Sequence, residues 1–161
     1  AAEKAEDLGF TPLVISRMIE GESKEAGVVM AGIARDVDRT GTPISPPAAL
    51  ITGGETTVTL GEHEGEGGPN QEFVLGAASK IMGLEGVVFA AVDTDGTDGP
   101  TDVAGGIVDG STFERLKEMG FNPSEVLKNH DSKIALEKLG DVIKTGPTGT
   151  NVNDLRLALI L

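Results

Sequence analysis

The sequence contains no cysteine, no tryptophan and no tyrosine, and each absence argues against a class of chemistry. Without cysteine there are no disulfides, no thiolate metal ligands and no cysteine nucleophile, a composition that favours a cytoplasmic protein. With only five phenylalanines, the chain lacks the aromatic platforms on which bases or sugar rings stack. No apolar run approaches the roughly 20 residues of a membrane-spanning helix, so we expect no membrane segment.

Positive charge is scarce as well. The chain has 13 Lys and Arg against 26 Asp and Glu, which gives a formal net charge of −13. Phosphate groups attract clustered cations, so a chain this anionic is poorly suited to nucleic acids or anionic lipid surfaces. We therefore expect neither a nucleic acid nor a membrane among its partners.

Glycine, in contrast, is abundant. The chain has 23 glycines among 161 residues, about twice the usual share of roughly 7%. They lie mostly at the ends of apolar segments, beside Asp, Thr and Asn. Because glycine loses the most conformational entropy on folding, this placement predicts tight turns or backbone that comes close to a ligand.

Apolar periodicity predicts strands that alternate with helices, which is typical of an α/β domain. We expect a single domain with a mixed, largely parallel sheet and flanking helices. The predicted strands are residues 12–16, 48–51, 56–60, 86–92, 142–144 and 155–161. The predicted helices are residues 1–8, 22–40, 70–82, 111–119 and 132–139, with a further helix that begins after Asn122.

Polar, glycine-rich loops follow several of these strands, and ligands of open α/β sheets bind at the carboxyl ends of strands. Residues 53–57 place two glycines between strands, where successive N–H groups can point at an anion. Residues 65–72 lead from a glycine-rich loop into a helix, whose N-terminus attracts anions. The alternatives are a plain turn and a flexible loop, and Glu62, Glu64 and Glu66 disfavour phosphate binding by charge alone.

The loop at residues 93–102 carries four carboxylates within ten residues, at Asp93, Asp95, Asp98 and Asp102. Their mutual repulsion favours a hard cation such as Mg²⁺, which binds few protein ligands and several waters. The alternative is a solvated turn in which Asp and Gly serve the backbone geometry.

Residues 145–154 offer hydroxyls, amides and glycines without a general base, which indicates binding rather than proton transfer. A turn stabilised by its own side chains is the alternative. The two histidines, His63 and His130, are far apart in the sequence, and we predict that both are surface residues.

Four ordered segments together resemble the MOFRL domain, the C-terminal domain of two-domain glycerate 2-kinases, which are often labelled hydroxypyruvate reductases. They are residues 53–58 (GGETTV), 67–72 (GGPNQE), 94–102 (TDGTDGPTD) and 145–154 (TGPTGTNVND). The resemblance covers residues 46–161, and residues 1–45 resemble the helix–strand–helix stretch that joins this domain to a larger N-terminal domain. We therefore expect the chain to be a fragment of a longer protein.

The resemblance implies transfer of the ATP γ-phosphoryl group to the 2-hydroxyl of D-glycerate, with Mg²⁺, in a cleft shared with the missing domain. On this basis we hypothesise catalytic roles for Asn70, Asp95 and Asp98, and magnesium ligation by Asp95, Asp98 and Asp102, with Asp93 or Asp102 orienting that shell. In this hypothesis one of these carboxylates also accepts the proton of the glycerate hydroxyl. Phosphate or substrate binding falls on a larger set: Gly53, Gly54, Glu55, Thr56, Gly67, Gly68, Thr148, Thr150, Asn151 and Asp154.

One departure from the family pattern is Pro69, where many relatives have Arg before the Asn-Gln-Glu triplet. We expect the isolated chain to be inactive, and the full-length protein to be a cytoplasmic kinase. Two alternatives are a non-catalytic accessory or dimerisation domain of that enzyme, and a hydroxypyruvate reductase. The chain itself shows no dinucleotide-binding fingerprint.

Overall fold

The computed structural model describes residues 1–61 and 65–161, in which six helices and six strands alternate along the chain. The helices are α1 (Ala2–Asp7), α2 (Ser23–Thr40), α3 (Pro69–Ile81), α4 (Thr112–Glu118), α5 (Pro123–Lys128) and α6 (Ser132–Leu139). The strands are β1 (Thr11–Ile19), β2 (Ala48–Gly54), β3 (Val87–Asp93), β4 (Gly105–Asp109), β5 (Val142–Ile143) and β6 (Asp154–Ile160).

The strands form one mixed sheet in the order β1-β2-β6-β3-β4-β5. The expected α/β class and the single domain are confirmed, but the expectation of a largely parallel sheet is wrong. Only β1 and β2 pair in parallel, and the other four neighbouring pairs are antiparallel. The reason lies in the connections: a loop rather than a crossover helix returns the chain from β3 to β4, and β6 inserts between β2 and β3 in the opposite direction.

The predicted and observed strands differ at two places, and both differences have local causes. Residues 56–60 do not form a strand, because β2 continues through Gly54 and leaves only an isolated bridge between Thr57 and Glu22. Strand β4, which begins with two glycines, has no counterpart among the predicted strands. A Cβ atom on Gly105 would lie 1.9 Å from the Ala91 carbonyl oxygen, so this strand requires a residue type that strands usually avoid.

The core lies between one face of the sheet and the helices. Helices α2 and α3 pack against each other, and α3 covers β3 and β4. Alternation along the strands buries Phe89 and Ala158 on this face, and the Phe89 ring lies 6.4 Å from that of Phe73 in α3. No helix of the described residues is long and apolar enough to span a membrane.

Residues 1–45 are part of this same structure, since β1 pairs with β2 and α2 packs on α3. The boundary near residue 46 and the joining role of the first 45 residues stay predictions.

The sheet topology brings the polar loops together. Strands β2, β3 and β5 all end at the edge where β6 begins, as shown by the pairing of Asp154 with both Gly54 and Asp93. At the same edge, Ile143 at the end of β5 pairs with Gly105 at the start of β4. This edge is formed by the ends of the strands and is not a lateral edge strand of the sheet. Together with the loops of residues 55–57, 94–104 and 144–153 and the N-terminus of α3, we call it the site edge.

Candidate functional site

Asp98 caps helix α3 from a different loop. Its two carboxylate oxygens accept hydrogen bonds from the main-chain nitrogens of Asn70 and Gln71, each at 2.9 Å. The side-chain amides of the same two residues donate to the carboxylate at 3.1 and 2.8 Å. The helix needs this cap because Gly68 at the N-cap position has no side chain to offer. The side chain thus anchors the loop of residues 94–104 to α3.

Burial governs the ionisation of Asp98, of which only 1% is exposed. Removal from water raises the pKa of the Asp98 carboxyl to about 6, against the four hydrogen bonds from Asn70 and Gln71, which lower it. Asp98 is therefore a buried group with a titration near neutral pH.

A hydrogen-bonded network continues from Asn70 toward β6. The Asn70 amide donates to Asp154 at 2.7 Å, and Asp154 forms an ion pair with the fully buried Arg156. The Arg156 guanidinium also donates to the Thr56 hydroxyl at 2.7 Å, and Thr56 lies 2.8 Å from the hydroxyl of Ser23 at the start of α2. Four segments that are distant in the sequence are thereby joined inside the protein.

Sequence reasoning missed Arg156, although a signal was present. Asp154 and Arg156 are two residues apart in β6, and alternation places both on the helix-covered face of the sheet. The guanidinium carbon lies 5.2 Å from the centre of the Phe73 ring, within the range of a cation–π contact. Burial lowers the pKa of Arg156, while the neighbouring Asp154 and Asp98 carboxylates raise it.

Three of the four glycines predicted to bind phosphate serve close packing. A Cβ atom on Gly68 would lie 2.3 Å from the Asp98 carbonyl oxygen, and one on Gly67 would lie 2.1 Å from the Ser132 hydroxyl. A Cβ atom on Gly54 would lie 2.3 Å from main-chain atoms of Ile19, and the φ of Gly54 is +120°. Gly53 differs, because its nearest such contact is 3.4 Å away.

The exposed part of the site edge consists of two joined loops. The Thr148 N–H donates to the Asp95 carbonyl oxygen at 3.1 Å, and the Asn151 amide donates to the Asp95 carboxylate at 3.2 Å. Thr148, Thr150 and Asn151 are exposed, as is Glu55 beyond β2. Hydrogen bonds from the Thr97 N–H and hydroxyl lower the pKa of Asp95, which keeps its carboxylate ionised.

The carboxylates predicted to bind magnesium have separate partners. The Asp98 oxygens are occupied by four N–H donors, and Asp102 forms ion pairs with Lys133 at 2.9 Å and Lys144 at 3.7 Å. Within residues 1–61 and 65–161, no group of three or more His, Asp or Glu side chains is placed to hold a metal ion. The predicted set of Asp95, Asp98 and Asp102 therefore does not fit a magnesium site built by this loop.

The prediction of a surface position is wrong for His130. Only 5% of this residue is exposed, and its Nδ1 atom lies 2.7 Å from the buried Glu72 carboxylate. His130 adopts a φ of +60° between α5 and α6, which turns its side chain toward α3. The predictions for Glu62, His63 and Glu64 lie outside the described residues.

The fold and this network define an α/β domain with a buried polar cluster beneath exposed loops at one sheet edge. The chain belongs to the MOFRL family, whose family model matches residues 48–154. It is 49% identical over 159 residues to a glycerate 2-kinase of Pyrococcus horikoshii, a match that covers 99% of this chain and 36% of that protein.

A solved structure and a second relative extend the comparison. The crystal structure of a glycerate kinase from Thermotoga maritima is similar with a TM-score of 0.96 and 50% identity, over 99% of this chain and 38% of that one. A protein of Agrobacterium vitis that bears the name of a hydroxypyruvate reductase is 45% identical over 99% of this chain and 37% of its own length. The chain thus spans little more than a third of the relatives it matches.

Proposed function

We propose that this chain is the C-terminal part of a glycerate 2-kinase, which transfers the ATP γ-phosphoryl group to the 2-hydroxyl of D-glycerate. About half of the residues are identical to those of a glycerate 2-kinase along nearly the whole chain, which supports the proposal. Because the chain spans only part of such relatives, the activity belongs to the longer polypeptide, and the isolated chain is expected to be inactive. A cytoplasmic location, which the lack of cysteine favours, is part of the same proposal.

The observation that carries the proposal is the joining of two exposed polar loops at the site edge. Residues 148–151 are tied to Asp95 by a main-chain and a side-chain hydrogen bond, so their hydroxyl and amide groups are held in place before a substrate arrives. Such groups suit the oxygens of a phosphate or of the glycerate carboxylate. Positioning of this kind supplies most of what phosphoryl transfer requires.

In this reaction, the 2-hydroxyl oxygen of glycerate forms a bond to the γ-phosphorus while the bond to the ADP oxygen breaks. The hydroxyl proton leaves to a base. Because its pKa is lowered, Asp95 is a poor proton acceptor, and we assign it the orientation of the substrate hydroxyl through a hydrogen bond. Asn70 and Asp98 are positioning residues, since both are buried in the network beneath the loops.

ATP is the co-substrate in this proposal, and the rest of the longer polypeptide completes the cleft. Magnesium serves kinases by neutralising phosphate charge. The donor set of Asp95, Asp98 and Asp102 does not fit a metal site of this chain, so these residues are not proposed as magnesium ligands.

The test is steady-state kinetics of the longer protein with D-glycerate and ATP, measured as ADP formation. Asp95→Asn is expected to lower kcat/KM for glycerate by about tenfold or more, with an unchanged melting temperature. The matched control is Glu85→Gln, which neutralises an exposed carboxylate just before β3, at the opposite sheet edge, and is expected to retain wild-type kinetics. Equal kinetics for both variants would remove the role assigned to Asp95.

A second candidate, an accessory domain that supports the cleft without touching substrate, is favoured by a different observation. The predicted site residues Thr56, Asn70, Asp98 and Asp154 are all buried and bonded within the network. Under this alternative, Thr148→Val and Asn151→Ala in the longer protein leave both KM values unchanged, whereas the kinase-site proposal predicts a rise of about tenfold. Sedimentation of the same protein tests the related dimerisation role.

A further inference from the structure

An apolar groove runs between α2 and the edge strand β1. One wall is the flank of α2 that faces β1, with Val29 and Ile33, and the other wall is β1, with Leu13 and Ile15. The groove consists of two adjoining cavities of about 600 and 370 Å³, which share Ile15, Val29 and Ile33. None of the residues of the polar network lines it.

Both walls of the groove expose large apolar side chains to solvent. Helix α2 already buries an apolar stripe that includes Met30, Ala34 and Val37 against the core. The same stripe widens toward the groove at Val29 and Ile33, which precede Val37 at intervals of four residues. Ile33 is partly buried against the core, whereas Val29 is 64% exposed, so the margin of the stripe offers apolar surface for a further element to cover.

The β1 wall of the groove also suggests that a covering element binds there. Among the described strands, β1 has a neighbour on one side only, namely β2, and it is nine residues long. Val14, which lines the groove, is 41% exposed on it. Proteins usually protect a long apolar edge strand with charge or with a covering element. The β1 side of the groove therefore also lacks a cover.

The acidic residues at the rim of the groove indicate what kind of segment would bind there. Glu20, Glu22, Glu25 and Asp36 line the groove, and none of its described lining residues is basic. A second copy that docked through the same face would bring like charges together, on a chain whose net charge is already −13. Lys and Arg at the margins of an apolar segment would complement the rim.

We propose that this groove binds an apolar segment flanked by Lys or Arg, supplied by the part of the longer polypeptide that this chain does not match. The relatives supply the room for such a segment, because this chain covers only 36% and 38% of two of them. The inference rests on the proposal that the chain is one part of a longer protein. It does not rest on the kinase reaction, so its test does not measure activity.

The test uses the longer protein with a single cysteine introduced at Val29→Cys, and the rate of maleimide modification is measured by peptide mass spectrometry. These 161 residues contain no other cysteine, so a modified peptide from this region reports the new thiol. The matched control is Met119→Cys, because Met119 is 54% exposed and lies at the end of α4, away from the groove. Each rate is divided by the rate of the same variant in denaturant.

We expect the thiol at position 29 to react at least tenfold more slowly than the thiol at position 119, at any protein concentration. Adding Glu25→Gln and Asp36→Asn is expected to raise the rate at position 29 severalfold, because the rim then loses two charges. Equal rates at the two positions would overturn the proposal. Protection that grows with protein concentration would overturn it in favour of a second copy, and protection unchanged by the two rim substitutions would overturn the basic flank.

Discussion

The Nδ1 atom of His130 lies 2.7 Å from the Oε1 atom of Glu72, and both side chains are buried. Glu72 belongs to the first turns of α3, and His130 belongs to the connection between α5 and α6, so the pair ties α3 to that connection. The second oxygen of the Glu72 carboxyl has no hydrogen-bond partner among the described residues. The histidine is therefore the group that compensates its burial.

Removal of that partner is expected to destabilise the protein. His130→Ala should lower the free energy of unfolding by about 3 kcal/mol, because it leaves the buried Glu72 carboxylate uncompensated. Urea unfolding of the chain measures the change. Adding Glu72→Gln should recover at least about 1 kcal/mol, since a neutral amide is less costly to bury than a charge. A loss below about 0.5 kcal/mol in the single variant would contradict this account.

The cap on α3 leads to a graded prediction at Asp98. Asp98→Ala leaves the main-chain N–H groups of Asn70 and Gln71 without an acceptor and removes one of the two acceptors of each side-chain amide, so it should cost about 3 kcal/mol of unfolding free energy. Asp98→Asn keeps one acceptor oxygen and should cost clearly less. Urea unfolding ranks the variants, with the exposed Glu114→Gln as a control that retains wild-type stability. An alanine variant as stable as the asparagine variant would refute the capping role.

The ionisation of Asp98 makes stability depend on pH. Its pKa is raised by burial from 3.8 to about 6, so the folded state holds this proton more tightly than the unfolded state does. The stabilisation is complete below about pH 4 and is lost as the pH rises through 6, and a shift of about two units amounts to about 3 kcal/mol. The burial of Glu72 raises its pKa and acts in the same direction.

Unfolding free energies from pH 4 to 7, for the wild-type chain and for Asp98→Asn, test this dependence. The wild-type value should fall more steeply with pH than that of the variant, which has no carboxyl at this position. Parallel curves would show that Asp98 does not titrate in this range.

The two adjacent glycines at the end of β2 are expected to respond differently to substitution by alanine. Gly54→Ala should cost more than about 3 kcal/mol, because the new Cβ atom would overlap the main chain of Ile19 at a positive φ. Gly53→Ala should change stability by less than about 0.5 kcal/mol, because its new Cβ atom has only ordinary contacts.

Kinetics of the longer protein complete that comparison. If Gly53 approaches a substrate at the site edge, Gly53→Ala should raise KM for glycerate or ATP by about tenfold at unchanged stability. Wild-type KM values in this variant would remove Gly53 from the proposed binding surface.

Local sequence patterns predicted most helices and strands, because the formation of these elements depends largely on residues that are close in the sequence. The bounds of α6 coincide with the prediction of residues 132–139, and α3 differs by one residue at each end, since apolar periodicity and a following turn mark both helices. The direction in which strands pair depends instead on long-range topology, which periodicity does not encode. The polar loops that follow β2, β3 and β5 nevertheless converge, because these three strands run in the same direction even in a mainly antiparallel sheet.

The sequence indicated which loops form the candidate site, but not which partners the individual side chains of those loops have. The acidic loop of residues 93–102 indicated a cation, whereas the structure gives Asp98 four N–H donors and Asp102 two lysines. These partners are 27 or more residues away in the sequence, so no local spacing reveals them. Arg156 and His130 were missed because charged and titratable residues are usually exposed.

The position of β6 has a consequence for the order of events during synthesis. This strand follows all the other described strands along the chain, yet it pairs with both β2 and β3 and so joins the two halves of the sheet. Until residues 154–160 have left the ribosome, β2 and β3 each present an unpaired edge. Chaperones that shield nascent chains would therefore encounter the sheet with its middle still unpaired until this strand is made.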